Sequence, residues 1–283
     1  MTGPAATATA AAIPRPGSQK ESQRSWVEMV MGLPVSVTVR GPAARGPRAD
    51  QVVHGVYAEL HRADRVFSTY RTDSEVSLLR SGALARELAS PDVQEVLDLC
   101  AQARELTGGS FDAEITQPDG QRLLDPSGLV KGWAVERAAS GLNLLDGHDW
   151  LINAGGDVLG SAQRGPAWRV ALEDPRNPNQ VLCVLPLRSG AVATSSLSAR
   201  GRHITDPRTG RPATTDRLLS ATITGPSLTW ADVLATAAFV QGPNSLARVA
   251  ALDGYQALIL LPDGRLLGSS QTASTCGDAV PAG

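Results

Sequence analysis

Asp232 and Thr236 stand four residues apart in Ala231-Asp232-Val233-Leu234-Ala235-Thr236, inside an apolar stretch that predicts a helix over 230–240. That spacing puts both side chains on one face. A carboxylate and a hydroxyl are hard oxygen donors, and with water and a substrate phosphate they would satisfy magnesium. Asp232 also fits a capping box, with Thr229 as N-cap and the acid at the third position, which leaves Thr236 without a task. His203 opens His203-Ile204-Thr205-Asp206-Pro207-Arg208-Thr209-Gly210, beside two strong turn signals. An imidazole held there could take a proton from an attacking hydroxyl at neutral pH, and it could equally be a surface histidine of a hairpin. Just upstream, Thr194, Ser195, Ser196 and Ser198 offer hydroxyl donors for phosphate, or the polar end of a strand.

Two further motifs could hold an anion. In Asn153-Ala154-Gly155-Gly156-Asp157 the adjacent glycines let backbone amides approach a ligand oxygen that a Cβ would keep away, although a turn between two strands explains them as well. Lys20 and Lys131 are the lysines among 26 basic residues, so a lysine inside a polar motif is informative. Lys131 follows Asp125-Pro126-Ser127-Gly128-Leu129-Val130, a glycine-containing turn just before a helix predicted over 132–145, and a lysine near a helix start suits a phosphate. This is not a Walker A loop, because the spacing differs and neither Ser nor Thr follows the lysine.

These groups need a frame. Apolar alternation or short apolar runs predict strands over 35–39, 150–153, 168–172, 181–187, 221–224 and 257–261. Val52, Val53, Val56, Leu60 and Ala63 share a helical face; Ser90-Pro91-Asp92 caps a helix running towards Gly108; a further helix fits 244–252. Without a strict βαβ rhythm, the mixture predicts an α+β fold. Residues 1–22, rich in Ala, Thr, Pro and Gly, read as a disordered tail, 23–268 as a single domain, and 269–283 as a flexible C-terminal tail. A net charge of -2 gives no electrostatic footprint for nucleic acid, and no apolar run is long enough to span a bilayer. Cys100, Cys183 and Cys276 form no close pair, so neither a disulfide framework nor a zinc knuckle is expected, and a reducing compartment suits them. The first residues lack the pattern of a secretory or lipoprotein signal, so no membrane anchor and a cytoplasmic location are expected.

In order along the chain, DPSGLVKGWAVE (125–136), NAGGD (153–157), Thr194-Ser195 followed by HITDPRTG (203–210), and ADVLAT (231–236) resemble the motifs of the ApbE family of flavin transferases. Gly109-Ser110-Phe111-Asp112-Ala113 resembles the family's G-x-F-D-P segment, and Met31-Gly32 its early M-G-T. The resemblance covers about residues 26–268. It implies an α+β fold and an enzyme that moves FMN from FAD onto a Ser or Thr hydroxyl of a target flavoprotein, as a phosphoester, with release of AMP.

The same resemblance implies roles for particular residues. Asp232 and Thr236 would bind Mg2+, with a backbone carbonyl falling near Val130; His203 would be the base; Lys131, Asn153, Gly155, Gly156, Asp157, Thr194 and Ser195 would hold the FAD. Glu136 stands where Asp is usual, and Ser196-Leu197 where the family has Gly followed by an aromatic residue. Tyr70, in a chain with 3 Tyr and 3 Phe, is then the candidate to stack on the isoalloxazine ring. The alternatives are a FAD pyrophosphatase, with water as the acceptor, and a flavin-binding protein without catalysis.

Overall fold

Alternation over residues 23–40 folds the start of the domain into a hairpin of β1 (Gln23–Val30) and β2 (Leu33–Arg40). Its two-residue turn, Met31 at φ 52 and Gly32 at φ 70, has the twist that antiparallel strands prefer. The structure is a computed structural model and describes residues 22–42, 44–116, 120–196 and 204–269. The first long helix is α1 (Pro47–Phe67), which buries Val53, Val56, Leu60 and Ala63 of the face predicted from spacing, with Tyr57 beside them, while Val52 is half-buried. The short α2 (Glu75–Arg80) is capped by the Ser74 hydroxyl, which accepts from Ser77 N–H, and α3 (Pro91–Leu106) follows. A small hairpin of β3 (Glu114–Thr116) and β4 (Arg122–Leu124) leads into α4 (Ser127–Ala139).

Strands dominate the middle of the chain: β5 (Asp149–Ala154), β6 (Asp157–Ser161), β7 (Trp168–Asp174), β8 (Asn177–Leu187) and β9 (Ser189–Ser196). After the short pair β10 (Thr205–Asp206) and β11 (Arg211–Pro212) come β12 (Ser220–Gly225), α5 (Leu228–Gln241), α6 (Ser245–Ala250), β13 (Gln256–Leu260) and β14 (Leu266–Gly268). Eight of these strands form one antiparallel sheet in the order β1-β2-β5-β6-β9-β12-β13-β14. Alternate residues feed two cores. Val37, Ile152, Ala193, Ile223 and Ile259 face the helices, while Leu151, Val158, Val192 and Leu258 face the β7–β8 hairpin on the other side. The fold is α+β, with α5 apolar all round because it is enclosed by α4 and by strands β9 and β12.

Several local expectations change. The helix expected from residue 132 begins at Ser127, so Lys131 and Val130 lie inside α4 and not in a turn before it; residues 140–144 continue as a 3-10 helix. Pro126, at φ -80, occupies the cap position just before Ser127. At α5 the capping hydroxyl belongs to Ser227, which accepts from Trp230 N–H, and not to Thr229. Ser90 occupies the cap position of α3, but its hydroxyl makes no capping bond. Cys183 is disulfide-bonded, contrary to the expectation of unpaired thiols, whereas Cys100 is a free buried thiol. The predicted tails lie almost wholly outside the described residues. Ser22 and Ser269, at their edges, are tied in: Gly41 N–H donates to Ser22 O, and Ala257 N–H donates to Ser269 Oγ at 2.8 Å.

Candidate active site

The β5–β6 turn explains the glycine pair. Ala154 pairs with Asp157, leaving Gly155 and Gly156 as the two turn residues at φ 60 and 101, a backbone that L side chains rarely adopt. Asn153 Oδ1 accepts from Gly156 N–H at 2.9 Å and closes the turn. The motif is therefore a hairpin turn, and Gly155 also lines a cleft of about 530 Å³. That volume is within the usual range for a small-molecule or cofactor site.

Asp157 opens β6 and is 2% exposed. Its Oδ1 accepts from the backbone N–H of Thr194 on β9 at 3.0 Å, and its Oδ2 pairs with the Lys131 ammonium. From the other side, Asp232 on α5, 5% exposed, approaches the same ammonium with Oδ2 3.3 Å from Nζ. Lys131 thus stands between two nearly buried carboxylates contributed by the sheet and by the central helix. One turn along α5, Thr236 Oγ1 lies 3.2 Å from Ser195 Oγ, and Thr194 Oγ1 lies 2.9 Å from Thr222 Oγ1. Four sequence motifs distant along the chain meet here, because β6, β9 and β12 are neighbours in the sheet and α5 crosses them.

Lys131, Gly155, Thr194, Ser195, Asp232 and Thr236 all line the cleft. Asn153, Gly156, Asp157 and Val130 are not among the lining residues: Asn153 closes the β5–β6 turn, and Asp157 is tied to Thr194 and Lys131. Tyr70 sits at the mouth, 97% exposed, on a loop closed by the bond from Ser74 Oγ to Ser68 O. His203 lies outside the described residues; Ile204, the next in the chain, belongs to the cleft wall. Phe111, Asp112, Asp125 and Pro207, to which residue type and spacing assign no role, also line the cleft. The Gly108-Gly109 pair after α3 is the available signal for the first two, since both glycines take positive φ and turn the chain back towards α4.

The donor set suits a hard divalent cation: one carboxylate at Asp232 and hydroxyls at Thr236 and Ser195, beside a second carboxylate at Asp157. Among the described residues no group of three or more His, Cys, Asp or Glu gathers, so a cation here would complete its shell with hydroxyl, carbonyl, water or phosphate oxygens. Nearby, the Arg208 guanidinium bonds to Asp206 and holds that carboxyl below its ordinary range.

Fold and site together define an α+β protein with a cleft where helix, strand ends and glycine turn converge. The ApbE family model matches residues 31–119 and 113–259, and the chain belongs to that family. A Treponema pallidum protein named FAD:protein FMN transferase is 33% identical over 170 residues, 52% of this chain and 46% of that relative. A Klebsiella pneumoniae protein of the same name is 26% identical over 67% of this chain and 58% of its own length. The chain spans about half the length of the curated relatives it matches. Among solved structures, the ApbE protein of Thermotoga maritima superposes with a TM-score of 0.75 at 23% identity, covering 88% of this chain and 97% of that one. The flavin transferase ApbE of Vibrio cholerae gives 0.73 at 22% identity over 92% and 100%. At such identities these structures establish the fold. No described helix is long and apolar enough to cross a membrane.

Proposed function

We propose that this chain is a Mg2+-dependent FAD:protein FMN transferase. Its substrate is FAD, and its partner is a target flavoprotein that presents a Ser or Thr hydroxyl. The observation that carries the reading is the convergence of Lys131, Asp157 and Asp232 on one wall of a nucleotide-sized cleft, together with relatives that bear this name.

In the reaction the acceptor oxygen attacks the FMN phosphorus, the bond to the bridging pyrophosphate oxygen breaks, and AMP leaves. Asp232 and Thr236 would hold the cation, with Ser195 adjacent and a carbonyl near Val130 as a further donor; when bound, the cation supplies positive charge to the pyrophosphate. Lys131 is placed to supply a second positive charge, and its two carboxylate partners fix its direction. Gly155 presents backbone to the ligand without a Cβ, and the Thr194 and Ser195 hydroxyls can donate to phosphate oxygens. His203, one peptide bond from the cleft-lining Ile204, is the assigned base for the acceptor proton. Tyr70 is the assigned platform for the isoalloxazine, since an exposed ring at the mouth has a face free to stack.

The test is incubation with FAD and Mg2+, with and without a flavoprotein domain that exposes a Ser or Thr. The expected product is that domain heavier by one FMN, fluorescent on a denaturing gel and stoichiometric with AMP. Steady release of free FMN and AMP with no protein-bound flavin would make the chain a pyrophosphatase instead.

A further inference from the structure

Glu136 has no role in the chemistry above, yet its carboxylate takes the first turn of α5. Its Oε1 accepts from Leu228 N–H at 3.0 Å; its Oε2 accepts from Thr229 N–H at 3.2 Å, from Ser227 Oγ at 3.0 Å, and from Thr229 Oγ1. Ser227 accounts for the next two amides, its hydroxyl accepting from Trp230 N–H and its carbonyl from Ala231 N–H. The first-turn donors that a helix normally leaves open are therefore divided between the local cap and a carboxylate on another helix. Negative charge there is also favoured by the helix dipole.

A second contact fixes the same junction. Gly132, one turn before Glu136 on α4, lies so close to α5 that a Cβ would stand 2.8 Å from Thr229 Cα and 2.9 Å from Leu228 O. Only glycine fits without moving a backbone. These two contacts set both the separation and the axial position of α4 against α5. Lys131 is the neighbour of Gly132 on α4, and Asp232 is one turn beyond Thr229 on α5. A one-residue slip of α5 would shift Asp232 by about 1.5 Å along the axis and rotate it away from Lys131.

We infer that Glu136 and Gly132 form a clamp that places Asp232 and Thr236 for the cation, so that Glu136 is a positioning residue of this site. The inference rests on the reading of Asp232 and Thr236 as cation ligands. Supporting side chains behind metal ligands typically change affinity about 10- to 100-fold when removed. Glu136→Gln keeps the size but has one acceptor oxygen in place of two, with an NH2 facing helix donors. It is expected to weaken the cation by about 10-fold or more. Glu136→Asp keeps both acceptor oxygens and is expected to fall between wild type and Glu136→Gln.

The experiment titrates Mn2+ into the full chain with ADP as a pyrophosphate probe, following the electron paramagnetic resonance of the free ion and subtracting the binding seen in a protein-free Mn2+–ADP titration. It is run below the melting temperature of every variant. Asp232→Ala is the control for the site and should lose the ion. Weaker binding by folded Glu136→Gln, ordered with Glu136→Asp as stated, supports the clamp. If Glu136→Gln melts earlier but binds Mn2+ as tightly as wild type while Asp232→Ala does not bind it, Glu136 is only structural and the clamp is overturned. Equal binding by wild type and Asp232→Ala would overturn the cation reading and the clamp with it. Should Glu136→Gln not fold, Gly132→Ala tests the same junction from its other contact: weakened Mn2+ binding supports the clamp, and unchanged affinity overturns it.

Discussion

The ammonium of Lys131 holds together two carboxylates that would otherwise face each other across a nearly dry wall. Removing it by Lys131→Met leaves the charges of Asp157 and Asp232 uncompensated. Breaking a buried pair in this way costs about 3–5 kcal/mol. In chelator the variant should therefore melt about 6–12 °C below wild type, for a loss of about 3 kcal/mol in a chain of this size. A divalent cation can replace the lost charge, so Mg2+ should restore part of the difference. A thermal scan with and without Mg2+ checks both statements, and an unchanged melting temperature in chelator would rule out the shared-cation arrangement. The sequence made Lys131 and Asp232 legible because each is a rare or polar residue in an apolar or turn-rich setting. It did not reveal that they meet. Asp157 read as part of a ligand cradle, but its carboxylate turns inwards to Thr194 N–H and Lys131. A short motif gives residue types and order, while the direction of a side chain is decided by neighbouring strands.

Helix α5 links the wall of the cleft that carries Asp232 and Thr236 to the Phe111 side at its end. Gln241, its last residue, donates from Nε2 to Thr107 O at 2.9 Å and to Ser110 Oγ at 3.0 Å. The Thr107 hydroxyl in turn accepts from Phe111 N–H at 3.0 Å. Phe111 then packs so near Gly128 that a Cβ there would be 3.1 Å from its ring. Gln241→Leu strips two partners from this turn and leaves Thr107 O without its side-chain donor, a loss of about 1–3 kcal/mol. FAD affinity, read by fluorescence quenching, should weaken several-fold (roughly 1 kcal/mol, since about 1.4 kcal/mol is tenfold) while Mn2+ binding at Asp232 changes little. Equal loss of both would mean general unfolding instead. The helical faces were readable because burial at 3.6-residue spacing leaves a mark in the sequence, as in Val53, Val56, Leu60 and Ala63. Their ends were less so. Thr229 and Ser227 are equally good caps by residue type, and what decides between them is Glu136, about ninety residues earlier. Strands β6 and β9 were implied by the motifs at their ends but received no predicted range for a related reason: Gly160 and Gly190 interrupt their alternation because a partner strand or loop lies against them.

At the scale of the molecule, the second core depends on how the β7–β8 hairpin is fastened to the sheet. Cys183 on β8 is disulfide-bonded, whereas burial pushes the Cys100 thiol up to about 12. Peptide mass spectrometry after iodoacetamide should find Cys183 modified only after reductant and Cys100 only after denaturation. The fastening that the described residues show is electrostatic. Asp149, at the start of β5 and 1% exposed, accepts from Arg164 N–H at 2.9 Å and Gly165 N–H at 2.7 Å in the loop that precedes the hairpin. Arg40, at the end of β2, completes the cluster at 2.7 Å and lies over the Trp168 ring. Burial raises the pKa of Asp149, but the two amides and the guanidinium outweigh it, and the net direction is down. A carboxyl with a lower pKa in the folded state than in the unfolded chain contributes its full stabilisation above the unfolded value, about 3.9. That contribution drains away as pH falls through the folded value. Asp149→Asn, which removes the charge at every pH, should cost about 3 kcal/mol at pH 7 because the largely buried Arg40 guanidinium loses its carboxylate and keeps only the Pro166 carbonyl and the Trp168 ring. The gap between wild type and variant should then narrow as the pH is lowered from about 4 towards the folded pKa, because only a protonated Asp149 matches the asparagine side chain in charge. Urea unfolding at pH 7, 5, 4 and 3, values spanning about one unit either side of the unfolded pKa and above, measures that gap directly. A difference that stayed constant across the series would show that Asp149 acts through shape alone and that its charge does not fasten the hairpin to the sheet.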